Sequence, residues 1–197
     1  IEELVTERTI TALYGLRADT DYPVEILDGE EKCGELFFHT DYEFVTLDVR
    51  RFGAKGDGIQ DDTPFIQAAI LACPEDSRVL IPAGVYRITS LFLKTHTKIE
   101  LAKGAELRAF TEKERFPVLP GLIESYDERD QYNLGSWEGN PLPSYTGIIC
   151  GIDVEDVVIY GEGTINGNAS REDWWKNPKG YKEAFRQRLF FVNHCRN

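Results

Sequence analysis

No stretch of this chain is apolar for the roughly 18 residues that a membrane-spanning helix requires, and methionine is missing from all 197 residues. The first absence argues against a helical membrane anchor; the second excludes no class. The chain opens on Ile1, and Ile1 to Glu7 carries acids where a secretory leader carries Lys or Arg. The expectation is a chain processed or cut from something longer. Cysteine is sparse. Cys33, Cys73, Cys150 and Cys195 stand far apart with no C-x-x-C spacing, which argues against a zinc site or a disulfide framework. All four are expected to be small buried hydrophobes. Basic residues are also short, 22 Lys and Arg against 34 Asp and Glu, for a formal charge of −12. That balance argues against nucleic acid and anionic membranes as partners. It does not bear on an anionic polysaccharide, for which only the charge at the site counts.

What is present is ordinary globular composition, 42% hydrophobic and 28% charged, at a length that allows one or two domains with a real core. The two ends read differently. Residues 1–46 carry short strand-like runs at Thr9–Leu13, Tyr22–Leu27 and Cys33–Thr40, the last after the Asp28-Gly29 turn signal. The pattern Leu16-x-Ala18-x-Thr20-x-Tyr22 resembles the tyrosine corner of a fibronectin type III domain, in which a Tyr hydroxyl bonds to the chain just upstream. The resemblance implies part of such a β-sandwich, with its upstream strands missing.

From residue 47 a different signal takes over. Val79-Leu80-Ile81-Pro82-Ala83-Gly84, Ile99-Glu100-Leu101-Ala102-Lys103-Gly104 and Val157-Val158-Ile159-Tyr160-Gly161-Glu162-Gly163 each pair alternating apolar residues with a following Gly. A short strand and a Gly turn repeating at about 20 residues predict a solenoid, and no long crossover helices separate the strands. A right-handed parallel β-helix satisfies both facts. Its open end needs a cover. Thr63-Pro64 predicts a helix start, with Thr63 as the N-cap. Phe65, Ile66, Ala69, Ile70 and Ala72 then share one face, and Pro74 stops the helix.

The series Phe52-Gly53-Ala54-Lys55-Gly56-Asp57-Gly58, Asp61-Asp62-Thr63 and Pro82-Ala83-Gly84-Val85-Tyr86 resembles the N-terminal signature of the pectin-degrading β-helix superfamily. That group includes the polygalacturonases of glycoside hydrolase family 28, some glucanases and phage tailspikes. Gly163-Thr164-Ile165-Asn166-Gly167 with Trp174-Trp175, and Arg186-Gln187-Arg188-Leu189, resemble family 28 segments, with Asn166 where Asp is usual and Gln187 where Pro is commoner. The insertion from Phe110 to Thr146, with Trp137-Glu138-Gly139-Asn140-Pro141, resembles exo-acting bacterial members. The likeness implies hydrolysis of α-1,4-galacturonan with inversion, by carboxylates that lie beyond Asn197. Neither Gly-His-Gly nor a strand-borne Arg-x-Lys occurs, so no catalytic residue is expected within the chain. The implied partner is a pectin oligosaccharide, without cofactor or metal, in a secreted or cell-envelope protein.

Six residues are substrate-binding candidates. Trp137, Trp174 and Trp175 could stack on sugar rings, although packing under loops is the plainer use of a large aromatic. Arg186 and Arg188 could grip a carboxylate bidentately, against salt bridging along the solenoid. Glu138 belongs to the insertion segment. Asp61-Asp62 reads better as a turn and helix start than as a catalytic pair. His194 reads as a structural histidine. Glu124 to Asp130 reads as a solvated acidic loop rather than a calcium site. The alternatives to a hydrolase are a β-helix polysaccharide lyase and a non-enzymatic, tailspike-like glycan binder.

Overall fold

The computed structural model describes residues 3–124, 131–177, 184 and 186–197, with the side chains of residues 131, 132 and 137 outside that set. The chain divides into two compact units, Ile1–Phe44 and Val45–Asn197.

In the first unit, β1 (Asp21–Asp28) and β2 (Glu31–His39) form an antiparallel hairpin. The pairing slips between Ile26 and Leu27, leaving Cys33 as the extra residue of a bulge. Cys33 is therefore exposed rather than buried. Tyr22 stacks on Phe38 with ring centroids 5.6 Å apart, and its hydroxyl accepts a hydrogen bond from Arg17 N at 2.8 Å. The expected strand at Thr9–Leu13 does not form. Its side chains are exposed, and no described strand pairs with it.

The second unit is a right-handed parallel β-helix. Its first coil comprises β3 (Thr46–Asp48), β4 (Asp57–Asp61) and helix α1 (Thr63–Ala72). The next runs through β5 (Arg78–Ile81), β6 (Gly84–Ile88) and β7 (Leu91–Phe92). After it come β8 (Thr97–Leu101) and β9 (Ala105–Ala109). The chain then leaves the solenoid through β10 (Val118–Leu119), β11 (Leu122–Glu124), β12 (Gln131–Asn133), β13 (Ser136–Trp137), β14 (Asn140–Pro141) and β15 (Ser144–Tyr145). It returns at β16 (Ile149–Ile152) and continues through β17 (Val157–Gly161), β18 (Thr164–Asn166) and β19 (Phe190–Asn193). Among the described residues three parallel sheets result, ordered β3-β5-β8-β17, β4-β6-β9-β18 and β7-β16-β19.

Register explains the sequence period. Val79, Ile99 and Ile159 are direct neighbours across three rungs, as are Tyr86, Leu107 and Ile165, and Leu91, Ile149 and Phe190. Phe190 on the last strand is exposed, while the inner rungs of these rows fill the core, where Val79, Ile81, Tyr86 and Ile88 are wholly buried. Each such side chain contributes on the order of 1.5–3 kcal/mol. Gly161 shows why the turns need glycine. Its φ is 115°, and a Cβ there would stand 2.1 Å from Leu101 O on the rung beneath.

Helix α1 buries Ile66, Ala69 and Ile70 completely against this core, while Ala72 faces outward instead of joining them. Its N-cap is Asp62, one residue earlier than expected, and Asp62 makes no side-chain cap. The preceding carboxylate does that work: Thr63 N donates to Asp61 Oδ1 at 3.1 Å. The Asp62 side chain is wholly buried and turned elsewhere. It accepts from Lys55 N, Gly56 N and Gln60 Nε2 at 2.9, 3.0 and 2.8 Å, folding the glycine-rich loop over the helix start. Gly56 has φ 63°, and a Cβ would meet the Tyr86 ring at 2.7 Å. The helix also blunts a sheet edge: the Gln67 amide exchanges two hydrogen bonds with the backbone of Phe92 in β7, at 2.8 and 2.7 Å.

Candidate substrate-binding site

The insertion is stitched to the solenoid at both ends. Where it returns, buried Thr146 bonds Ser90 at 2.6 Å between hydroxyls. Where it leaves, Phe110 and Phe116 form a buried cluster with Trp174, against which Tyr145 packs. Trp174 is 4% exposed. Phe116 and Tyr145 meet it edge-on, with centroids at 5.8 and 5.2 Å. Trp174 therefore clamps insertion to coil and offers no free sugar platform.

The loop that delivers Trp174 follows β18. Asn168 N donates to Asn166 Oδ1 at 2.8 Å, and Asn168 Nδ2 to Ala109 O at 3.2 Å. Asp173 then accepts from Ser170 N at 2.7 Å, from Ser170 Oγ at 2.8 Å and from Trp174 N. Glu172 N in turn donates to Ser170 Oγ at 3.1 Å, so Ser170-x-x-Asp173 closes a side-chain-locked turn, a spacing open to view in the sequence that the candidate set leaves out. It points consecutive tryptophans in different directions, Trp174 inward and Trp175 outward.

Trp175 is 51% exposed, and the Arg186 guanidinium lies over its ring at 4.1 Å from the centroid. Arg188 lies over Phe191 at 5.8 Å. Trp175, Arg186 and Arg188 line a cavity of about 180 Å³ with Trp174, Gln187 and Ile148. Four of the six sequence candidates, Trp174, Trp175, Arg186 and Arg188, thus come together. Glu138 does not join them. It is exposed and sits with Gly139 in the turn of the β13–β14 hairpin, φ 51° and 83°. The side chain of Trp137 lies outside the described residues.

Asn166 has a local cause for not being Asp. Its Nδ2 donates to Glu106 Oε1 at 2.8 Å, and Glu106 also takes both Nε and a terminal nitrogen of Arg108 at 2.9 and 2.6 Å. Arg108 first and Asn166 second hold the Glu106 carboxyl below the usual range; an aspartate would face it instead.

Asp61 and Asp62 do not converge on a cleft, one capping the helix and the other buried beneath the loop. His194 turns the chain after β19 with φ 54°. Among the described residues no three His, Cys, Asp or Glu side chains gather as a metal site, and none of the four cysteines forms a disulfide. Cys73 and Cys150 are buried as expected, and burial pushes the Cys150 thiol up to about 11. Cys195 is exposed, in the turn region after β19. Asp127 and Asp130 lie outside the described residues. No helix among the described residues is long and apolar enough to cross a membrane.

Residues 46–113 match the family described as rhamnogalacturonase A/epimerase, pectate lyase-like. Over 183 residues the chain is 29% identical to an exo-poly-alpha-D-galacturonosidase of Dickeya chrysanthemi, covering 86% of this chain and 27% of that protein. A shorter match, 35% identical over 82 residues, is to plasmin and fibronectin-binding protein A of Streptococcus pneumoniae, covering 40% of this chain and 11% of that one. In structure the chain is similar to the family 28 exopolygalacturonase of Yersinia enterocolitica, with a TM-score of 0.64, 23% identity, and coverage of 92% of this chain and 39% of that one. The chain thus spans between about a quarter and two fifths of its polygalacturonase relatives.

Proposed function

We propose that this chain supplies the first coils of a pectin-degrading glycoside hydrolase that cleaves α-1,4-galacturonan from a chain end, with inversion. The observation that carries the reading is the pocket beside Trp174, where Trp175 presents an exposed ring and Arg186 lies over it. An indole face takes the apolar side of a pyranose, and a guanidinium fork takes its carboxylate. The similarity to an exo-acting galacturonosidase supports that substrate class. The insertion clamped against Trp174 supports the exo mode, since such a wall can close one end of a cleft. Inversion needs two carboxylates about 6.5–9.5 Å apart with a water between, and these are expected beyond Asn197. The 197-residue chain by itself therefore binds but does not cleave. The bond from Arg17 N to Tyr22 supports a partial fibronectin type III-like module in residues 1–46 ahead of the solenoid in 47–197. Such a module, with pectin as target, supports a secreted or cell-envelope protein.

The test has two arms. The purified chain should release no reducing sugar from polygalacturonate; release abolished by changing one of its own acids would overturn the assignment of catalysis to later coils. A longer protein carrying this chain should yield the inverted anomer by NMR. A retained anomer, or an unsaturated product absorbing in the ultraviolet, would sink the hydrolase reading, the latter in favour of a lyase. The match to the streptococcal binding protein favours a second reading, a non-enzymatic β-helix that binds macromolecules. It predicts no cleavage by any length of the protein.

A further inference from the structure

The outward row of the second sheet sets Asp61, Arg87, Arg108 and Asn166 side by side on successive strands. Two guanidiniums facing the same way on adjacent strands repel unless each is held. Arg108 is held by Glu106. Arg87 is not. Its guanidinium lies over Phe110, with Cζ 4.2 Å from the centroid, and its Nε is buried without a hydrogen-bond partner. Among the described residues no carboxylate closes an ion pair with it, although the Glu112 carboxyl is held below the usual range by its own backbone N–H first and by the Arg87 charge among others. Arg115 lies over the same ring, also at 4.2 Å. Its carboxylate partners are distant and partly exposed, Asp61 at 3.5 Å and Glu112 at 3.7 Å. Lys113 stands 5.3 Å from the Trp174 centroid. Phe110 belongs to the Trp174 cluster, so these cations adjoin the wall of the proposed pocket. In a chain of charge −12, three cations thus gather on aromatic rings.

We propose that Arg87, Arg115 and Lys113 form an anion-binding subsite that takes a carboxylate of an acidic saccharide. The identity of the anion rests on the function proposed above; the existence of the subsite does not. Stacking on Phe110 fixes the guanidinium plane while leaving edge N–H groups to donate, the geometry that suits a bidentate carboxylate. Asp61 and Glu112 tether Arg115; Glu112 also lies within the field of Arg87, but neither carboxylate closes an ion pair with it.

The test is protection of arginines from phenylglyoxal in the purified chain, mapped by mass spectrometry. The probes are sodium sulfate, trigalacturonate and neutral maltotriose. Sulfate and trigalacturonate should slow modification of Arg87 and Arg115 severalfold, and maltotriose should not. Arg115→Gln, at an exposed side chain, and Arg87→Lys, which keeps the charge but not the fork, should each weaken trigalacturonate binding by about tenfold, the worth of one charge-assisted bond. Equal modification with and without both anions overturns the subsite. Protection by sulfate alone upholds an anion site and removes the saccharide as its ligand. Binding lost in Arg186→Gln but unchanged in Arg87→Lys and Arg115→Gln overturns this subsite and leaves the Trp175 pocket standing.

Discussion

Replacing Asp62 with alanine removes a carboxylate that is wholly buried and accepts three hydrogen bonds within 3.0 Å. Two of the donors are backbone N–H groups, those of Lys55 and Gly56. Without Asp62 they lose their acceptor, and the loop over the helix start loses its only link of this kind to the α1 N-terminus among the described residues. Hydrogen bonds to a charged acceptor contribute about 1.5–3 kcal/mol each, and partly buried orphan donors cost a comparable amount. The three bonds share one acceptor group and do not add, so the expected loss is about 3–5 kcal/mol. That is a large share of the roughly 5–15 kcal/mol typical of a domain. Asp62→Asn keeps the size but turns an amide toward donors, and should recover less than half. The assay is urea unfolding followed by tryptophan fluorescence, which reports on the second unit alone because Trp137, Trp174 and Trp175 all lie there. A fall in the midpoint at unchanged slope is expected. A loss below about 1 kcal/mol would refute the view that Asp62 is the keystone of the N-terminal signature.

Other outcomes follow from the same contacts. Asn166→Asp should destabilise the second unit by about 1–2 kcal/mol at pH 7, because two carboxylates then meet, and the penalty should shrink as pH falls and one of them protonates; unfolding midpoints at pH 7 and pH 4.5 check it. His39 lies 2.9 Å from Asp21 and 3.0 Å from Asp19, which hold its pKa above the ordinary 6.5, Asp21 first. Its contribution to hairpin stability is thus fully present below about 6.5 and is lost as pH rises through the higher folded value. Hydrogen exchange of β1 and β2 amides should quicken from pH 6 to pH 8 beyond the intrinsic rate, and His39→Asn should remove that excess. Trp174→Ala should cost about 3–5 kcal/mol and loosen the insertion, whereas Trp175→Ala should cost under about 0.5 kcal/mol; paired melting curves separate the two.

The solenoid was legible because its inward rows repeat in sequence. Val79 and Ile99 are neighbours one short coil apart, and Ile159 falls on the same row only after the insertion is set aside. The third sheet left almost no trace, since β7 is two residues long and its outer edge is satisfied by a side chain, Gln67. Helix α1 was readable from its apolar spacing, but its cap was not. Pro64 sits at the second helical position, and Asp61 takes the role that Thr63 was expected to have. In the first unit, β-branched composition at Thr9–Leu13 did not make a strand: a strand needs a paired neighbour, and no described strand pairs with this segment. Trp174, Trp175, Arg186 and Arg188 are near in sequence, but their gathering depends on the Ser170–Asp173 turn and on β19 pairing with β16, which resemblance could nominate but not assemble. Arg87 on Phe110 was beyond reach for the same reason: the contact depends on how the insertion leaves β9.

The most direct measurement is isothermal titration of trigalacturonate and of maltotriose into the purified chain and into Trp175→Ala and Arg186→Gln. The account predicts binding of the charged trisaccharide only, lost in Trp175→Ala and weakened at least tenfold in Arg186→Gln while both variants keep the parent's unfolding midpoint. Equal affinity for the neutral trisaccharide, or full trigalacturonate affinity in both variants, would contradict it.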